Sequence, residues 1–104
     1  MAPVKVASLS TLDDGEATRV DVDGTPVVLA RVGDEVFALC DTCSHAEASL
    51  SEGELYPEDL EIECPLHSST FDLRTGSPNE APATEPVARY DVTLDGDYIL
   101  VDVA

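Results

Sequence analysis

The chain has 104 residues, which suits one domain with a modest core, and 43% of them are hydrophobic. Its 22 acidic residues against 5 basic ones give a formal net charge of −17. That charge excludes nucleic acid as a natural partner and argues against binding to anionic membranes. No apolar run approaches the roughly 18 residues that span a bilayer, and the N-terminus lacks the pattern of a secretory signal. We therefore expect a soluble, cytoplasmic protein.

The predicted elements are short strands with apolar residues at every second position. Asp23-Gly24 and Asp95-Gly96-Asp97 separate neighbouring strands and are typical of hairpin turns. The predicted strands cover residues 4–9, 18–22, 25–32, 35–40, 60–64, 70–73, 88–94 and 98–103. Strands at both ends, with turns every eight to twelve residues, predict an antiparallel all-β sandwich or barrel.

The middle of the chain, from residue 41 to about 86, is different. Its periodicity is weak, and small, polar and proline residues accumulate there. A short helix could form around residues 46–50. So long a loop-rich insertion in a small protein is usually functional or held by something other than a core. Both histidines and two of the three cysteines lie in it.

These four residues form two pairs, Cys43-Ser-His45 and Cys64-Pro-Leu-His67. Cys-x-His followed by Cys-x-x-His at this separation resembles the Rieske signature. The likeness continues in Val36–Leu39, Leu50–Gly53, Phe71–Gly76, Pro82, Ala83, Glu85 and Pro86. The whole chain is similar to the soluble Rieske ferredoxins that feed bacterial oxygenases.

The resemblance implies one domain, residues 1–104, that carries one [2Fe–2S] cluster. Base strands at 1–40 and 83–104 would support a loop-rich cluster-binding subdomain at about 41–82. Cys43 and Cys64 would bind one iron, and His45 and His67 the other, at the end of the protein where partners dock. A reductase, a flavoprotein, would deliver single electrons, and a terminal oxygenase or hydroxylase would receive them.

The ligand charges and the sequence around the ligands bear on the potential. Two ferric ions, two sulfides and two thiolates sum to zero, so an added electron meets less repulsion than in a four-thiolate cluster. Ala48 and Leu66 replace the disulfide cysteines of respiratory Rieske proteins. Ser69 stands at the position of one hydroxyl donor to cluster sulfur, but Phe71 replaces the tyrosine that supplies the other. We therefore predict a low potential, near the roughly −150 mV end of the Rieske range.

Two further residues have competing interpretations. Pro82 aligns with the proline loop that covers the cluster in the family, although an ordinary turn proline is an alternative. Cys40 and Cys43 form a Cys-x-x-Cys pair, which could indicate a dithiol or a zinc site. Cys40 also ends an alternating strand, where a small buried thiol fits well, and we favour that structural role.

Three alternatives to the oxygenase ferredoxin remain. The four ligands would satisfy a structural zinc ion, but Cys-x-His is a poor spacing for zinc knuckles. A Rieske domain could instead be the small subunit of an assimilatory nitrite reductase, or could accompany iron–sulfur assembly. An enzyme with its own substrate is disfavoured, because both histidines are predicted ligands and no catalytic residue can be assigned.

Overall fold

The computed structural model describes residues 3–42, 48–65, 69–79 and 85–103, and most of the regular secondary structure in these ranges is β-strand. The strands are β1 (Val4–Ser8), β2 (Ala17–Val22), β3 (Thr25–Val32), β4 (Glu35–Cys40), β5 (Leu55–Tyr56), β6 (Glu61–Glu63), β7 (Thr70–Asp72), β8 (Arg89–Asp95) and β9 (Tyr98–Asp102). Short 3-10 helices span Leu9–Thr11 and Leu50–Glu52. None of the helices in these ranges has the length and apolar character needed to cross a bilayer.

Six strands form the larger sheet, in the antiparallel order β1-β9-β8-β4-β3-β2. The outer strands β1 and β2 approach each other, so the sheet is nearly a closed barrel. The hairpin between β2 and β3 turns at Asp23 and Gly24, whose φ angles of 51° and 86° are those of a tight turn that follows the twist of the strands. The predicted all-β class is confirmed.

The smaller sheet has the antiparallel order β5-β6-β7, and it lies in the stretch where the sequence pattern is weak. β5 was not predicted, because two residues are too few to show alternation. The helical turn lies later than the predicted helix, at Leu50–Glu52, while residues 46 and 47 are outside the described ranges. Ser49 and Ser51 favour caps and turns over a longer helix, and Gly53 ends this one.

Two hydrophobic cores share strand β3. Val27 and Leu29 face the inside of the barrel, whereas Val28 and Ala30 face the smaller sheet, which explains the unbroken apolar run there. The barrel core contains Leu12, Val22, Val27, Leu29, Val36, Ala38, Ile99 and Val101. The junction core contains Val28, Ala30, Leu39, Leu50, Ile62, Cys64, Phe71, Leu73 and Val87. The smaller sheet is therefore fixed to the barrel through an apolar layer that includes a cysteine.

Candidate metal centre

Cys64 follows β6 directly and is completely buried in the junction core. Its backbone N–H donates to the carbonyl oxygen of Ser69 at 2.7 Å, so the ends of the intervening segment, 65–68, are held together. Within the described ranges the Cys64 thiol has no disulfide partner. A free, buried thiol at the base of a short closed loop suits a soft metal ion, which binds the thiolate.

The first loop is closed at its base in a similar way. Thr42 and Ser49 form an isolated antiparallel bridge, and the N–H of Leu50 donates to the carbonyl oxygen of Asp41 at 2.7 Å. Leu50 is completely buried and belongs to the same junction core as Cys64. The segment that carries Cys43 and His45 thus begins and ends beside a fixed strand.

The bases of the two loops are in contact through Gly53 and Glu63. The backbone of Gly53 lies against the carbonyl group of Glu63, so closely that a Cβ atom at position 53 would overlap the carbonyl oxygen. One residue further on, the N–H of Glu63 donates to the carbonyl oxygen of Glu54 at 2.8 Å. The exit of the first loop and the entry to the second are therefore locked side by side.

The residues after the second loop continue this packed end of the molecule. Ser69 and Phe71 are both completely buried, and Phe71 shares the junction core with Cys64. The N–H of Asn79 donates to the carbonyl oxygen of Thr70 at 2.7 Å, and Pro78 forms an isolated bridge with Phe71, so residues 78 and 79 lie alongside β7. The Thr70 hydroxyl is buried and, among the described residues, has no hydrogen-bond partner.

The structure places only some of the predicted site residues. Cys64, Ser69 and Phe71 lie together, as described above. The other three predicted ligands and the predicted cover lie outside the described residues: Cys43, His45, His67 and Pro82. In the ranges that are described, no three His, Cys, Asp or Glu side chains are grouped as metal ligands would be. The predicted donor set, two cysteine thiols and two histidine imidazoles, fits the mixed thiolate and imidazole ligation of a Rieske cluster. Of this set, the structure describes the buried Cys64 thiol.

Cys40 is the last residue of β4 and is not one of the four predicted ligands. It is half-buried beside the junction core, and its backbone N–H donates to the carbonyl oxygen of Ala88 at 2.8 Å. Burial of the Tyr90 ring, with the Cys40 thiol beside its hydroxyl, raises the pKa of Tyr90. These contacts agree with a packing role for Cys40.

The electrostatic surroundings of the site are strongly negative. The pKa of Tyr56 is raised to about 12, first because its hydroxyl bonds to Glu54 and also because of burial and the charge of Glu63. Each of the chain's five cations is already engaged. The contacts are Lys5 over the Tyr98 ring, Arg19 with Asp21 and Asp41, Arg31 with backbone carbonyls, Arg74 with Asp72, and Arg89 with Asp91.

Sequence reasoning missed two residues that build the site. Asp41 is a buried carboxylate at the base of the first loop, and Gly53 allows the close approach to Glu63. The signal for Asp41 was an acid directly after an alternating strand and two residues before a predicted ligand. The signal for Gly53 was its place in the Leu50–Gly53 stretch.

Comparison with known proteins bears on the family of the chain. Residues 2–91 match the model of the Rieske [2Fe–2S] domain. The ferredoxin component of biphenyl 2,3-dioxygenase from Rhodococcus jostii strain RHA1 is 44% identical over 103 residues, 99% of this chain and 94% of that protein.

Two solved structures are also similar. The ferredoxin of carbazole 1,9a-dioxygenase from Nocardioides aromaticivorans IC177 is 51% identical, with a TM-score of 0.94 and 97% of each chain covered. A chain in a complex of reduced oxygenase and oxidized ferredoxin in carbazole 1,9a-dioxygenase is 39% identical, with a TM-score of 0.88, covering 95% of this chain and 91% of that one. The resemblance expected from the two cysteine–histidine pairs is confirmed, and the chain belongs to the Rieske [2Fe–2S] domain family.

Proposed function

We propose that the protein is a one-electron carrier, the ferredoxin component of an oxygenase system, which takes electrons from a flavoprotein reductase and passes them to a terminal oxygenase. The observation that carries this proposal is the match over almost the whole chain to relatives named as dioxygenase ferredoxin components. We place the carrier in the cytoplasm, where thiols stay reduced and available as ligands.

We further propose that Cys43, His45, Cys64 and His67 hold the cluster, within a subdomain of about residues 41–82. Support comes from the buried Cys64 thiol and from the two loop bases that meet in the junction core. When bound, a [2Fe–2S] cluster supplies a centre that gains and loses one electron. The chain's part is to exclude water on the core side with Leu50 and Phe71 and to keep the loop bases fixed.

The cofactor is tested by electron paramagnetic resonance on the dithionite-reduced protein, with iron and sulfide analysis. A Rieske signal and a midpoint potential below zero are expected. A colourless protein with stoichiometric zinc would contradict the cofactor, and a potential above zero would contradict the low-potential prediction.

The ligands are tested by His67→Cys, and separately by His45→Cys. The extra thiolate adds negative charge, so each variant should have a lower potential and a changed visible spectrum. Unchanged spectra and potentials would refute the ligand assignment.

Partner docking is expected to be electrostatic, because Glu52 and Glu54 beside the base of the first loop form no ion pair among the described residues. A field of this sign speeds the encounter with a basic partner and is screened by salt. Glu52 and Glu54 are exposed at the exit of the first loop, while Asp34 and Glu35 are exposed at the opposite end of β4. At about 3.3 Å per residue, a six-residue strand separates the two ends by roughly 20 Å.

This placement provides a matched pair of variants. Both Glu52→Gln/Glu54→Gln and Asp34→Asn/Glu35→Gln remove two charges, but only the first pair lies beside the proposed cluster. We expect electron transfer to the oxygenase at low salt to slow more in the first double variant, and the two rates to converge as salt rises. Equal rates at low salt would show that only the net charge matters, and a salt-independent rate would remove electrostatic docking altogether.

A further inference from the structure

Asp41 is a buried charged residue without a role in the proposed ligand set. It follows β4 directly, and only 1% of its surface is exposed. Burying a carboxylate is costly unless it is paired or hydrogen-bonded. The position of Asp41, two residues before Cys43, therefore calls for an explanation in terms of its contacts.

The backbone of Asp41 joins both ends of the first loop to the barrel. Its N–H donates to the carbonyl oxygen of Pro26 on β3 at 3.0 Å, and its own carbonyl oxygen accepts from the N–H of Leu50 at 2.7 Å. The strand end before the loop and the 3-10 helix after it are thus bonded to each other through one residue.

The side chain of Asp41 strengthens the same connection. Its Oδ1 accepts from the backbone N–H of Ser51 at 2.8 Å. Ser49, the N-cap residue of this 3-10 helix, makes no side-chain capping bond, so the Asp41 carboxylate satisfies a donor of the first turn. Hydrogen bonds from backbone donors to a charged acceptor are stronger than those to a neutral one.

Arg19 on β2 partly balances the buried charge. Its Nη1 lies 3.9 Å from Oδ2 of Asp41, and its Nη2 lies 3.3 Å from Oδ1 of Asp21. The Arg19 side chain is half exposed, and Asp21 is 64% exposed, so water screens much of this contact. The two aspartates therefore share one arginine but differ in burial and in the bond to Ser51.

We propose that Asp41 is a positioning residue for the redox centre: its buried carboxylate fastens the 3-10 helix of residues 50–52 to the end of β4 and so fixes the separation between the two ends of the loop that carries Cys43 and His45. This inference rests on the proposed ligand set. A 3-10 helix free to move away from β4 takes Leu50 with it, and Leu50 packs in the same core as Cys64. The placement of the first pair of ligands relative to the second then becomes variable.

The test compares three variants of the cluster-loaded protein. Asp41→Ala removes charge and acceptor, Asp41→Asn keeps an acceptor oxygen without the charge, and Asp21→Asn removes the same charge from the same arginine at the surface. Each is examined by the paramagnetic resonance line shape of the reduced cluster and by the rate at which a chelator bleaches the visible spectrum. Circular dichroism checks that the variant is folded.

We expect Asp41→Ala to release iron about tenfold faster than the wild type or more, since a charged hydrogen bond is lost, and to broaden the resonance. The rate of iron release from Asp41→Asn should lie between those of Asp41→Ala and the wild type. The rate from Asp21→Asn should equal that of the wild type. If Asp41→Ala does not fold, faster release from Asp41→Asn than from Asp21→Asn supports the proposal. Equal release and equal line shapes in the Asp41 and Asp21 variants would overturn it. A wild-type protein without a Rieske signal would instead overturn the proposed function.

Discussion

The contact between Gly53 and Glu63 gives the sharpest prediction for the site. The Gly53 backbone is extended, with φ −86° and ψ −177°, which any residue adopts. The need for glycine is therefore a matter of space, because a Cβ atom there overlaps the carbonyl oxygen of Glu63. The three atoms nearest to that Cβ, the carbonyl oxygen and carbon of Glu63 and the carbonyl oxygen of Leu50, all belong to the backbone and cannot rotate away. The variant Gly53→Ala must separate the 3-10 helix from β6.

The cost of that separation has two parts. Overpacking of a fitted contact costs about 1–3 kcal/mol. Moving the segments apart also weakens the 2.8 Å bond from Glu63 to Glu54, which contributes about 1 kcal/mol. We therefore expect Gly53→Ala to lower the free energy of unfolding by about 2–4 kcal/mol and to accelerate loss of the cluster.

Gly33→Ala is the matched control. Gly33 has a φ of 63° and lies in the turn between β3 and β4, with no described atom within 4 Å of an added Cβ. Gly33→Ala should lower the free energy of unfolding by about 1 kcal/mol, because alanine is strained in the left-handed backbone conformation. It should leave the rate of cluster release unchanged. Chemical unfolding by circular dichroism and bleaching by a chelator measure the two effects. If the two variants are equally stable and release iron at the same rate, the close approach at Gly53 does not support the site.

Three further predictions test the packing and charges around the site. Leu50→Ala should lower the free energy of unfolding, measured by chemical denaturation, by about 2–5 kcal/mol, because the side chain is completely buried. Cys40→Ala should leave the cluster spectrum unchanged and lower the pKa of Tyr90, measured by ultraviolet titration; loss of the spectrum would show that Cys40 is a ligand. Hydrogen bonds and charge from Arg74 lower the pKa of Asp72 below its usual 3.8. The ionised Asp72 therefore stabilises the folded protein above about pH 3.8, and this stabilisation is lost as the pH falls through the lowered pKa of Asp72. The unfolding free energies of wild type and Asp72→Asn should then converge in strong acid.

How far the sequence predicts the fold depends on how the residues are stabilised. Strands β2 to β4 follow from alternation and from Asp23-Gly24, since local turn chemistry decides that hairpin. β5 and the late 3-10 helix could not be predicted, because they are held by contacts distant in sequence: β5 by pairing with β6, and the helix by Asp41. For the site, the motif spacing predicted four ligands, of which the described residues include Cys64. A pattern of residue types predicts candidate ligands, but it does not show which backbone groups hold the loops.

The backbone bonds at the loop bases connect this fold to electron transfer. A carrier gains a charge at its centre and loses it again, and surrounding dipoles that are already fixed need not reorganise at each step. In this protein, the first loop is closed through Asp41 and the second through Cys64 and Ser69, and both are bonded to strands of a buried core. The glycine contact at position 53 then holds one base against the other. We infer that rigidity at the proposed centre comes from the strands behind it.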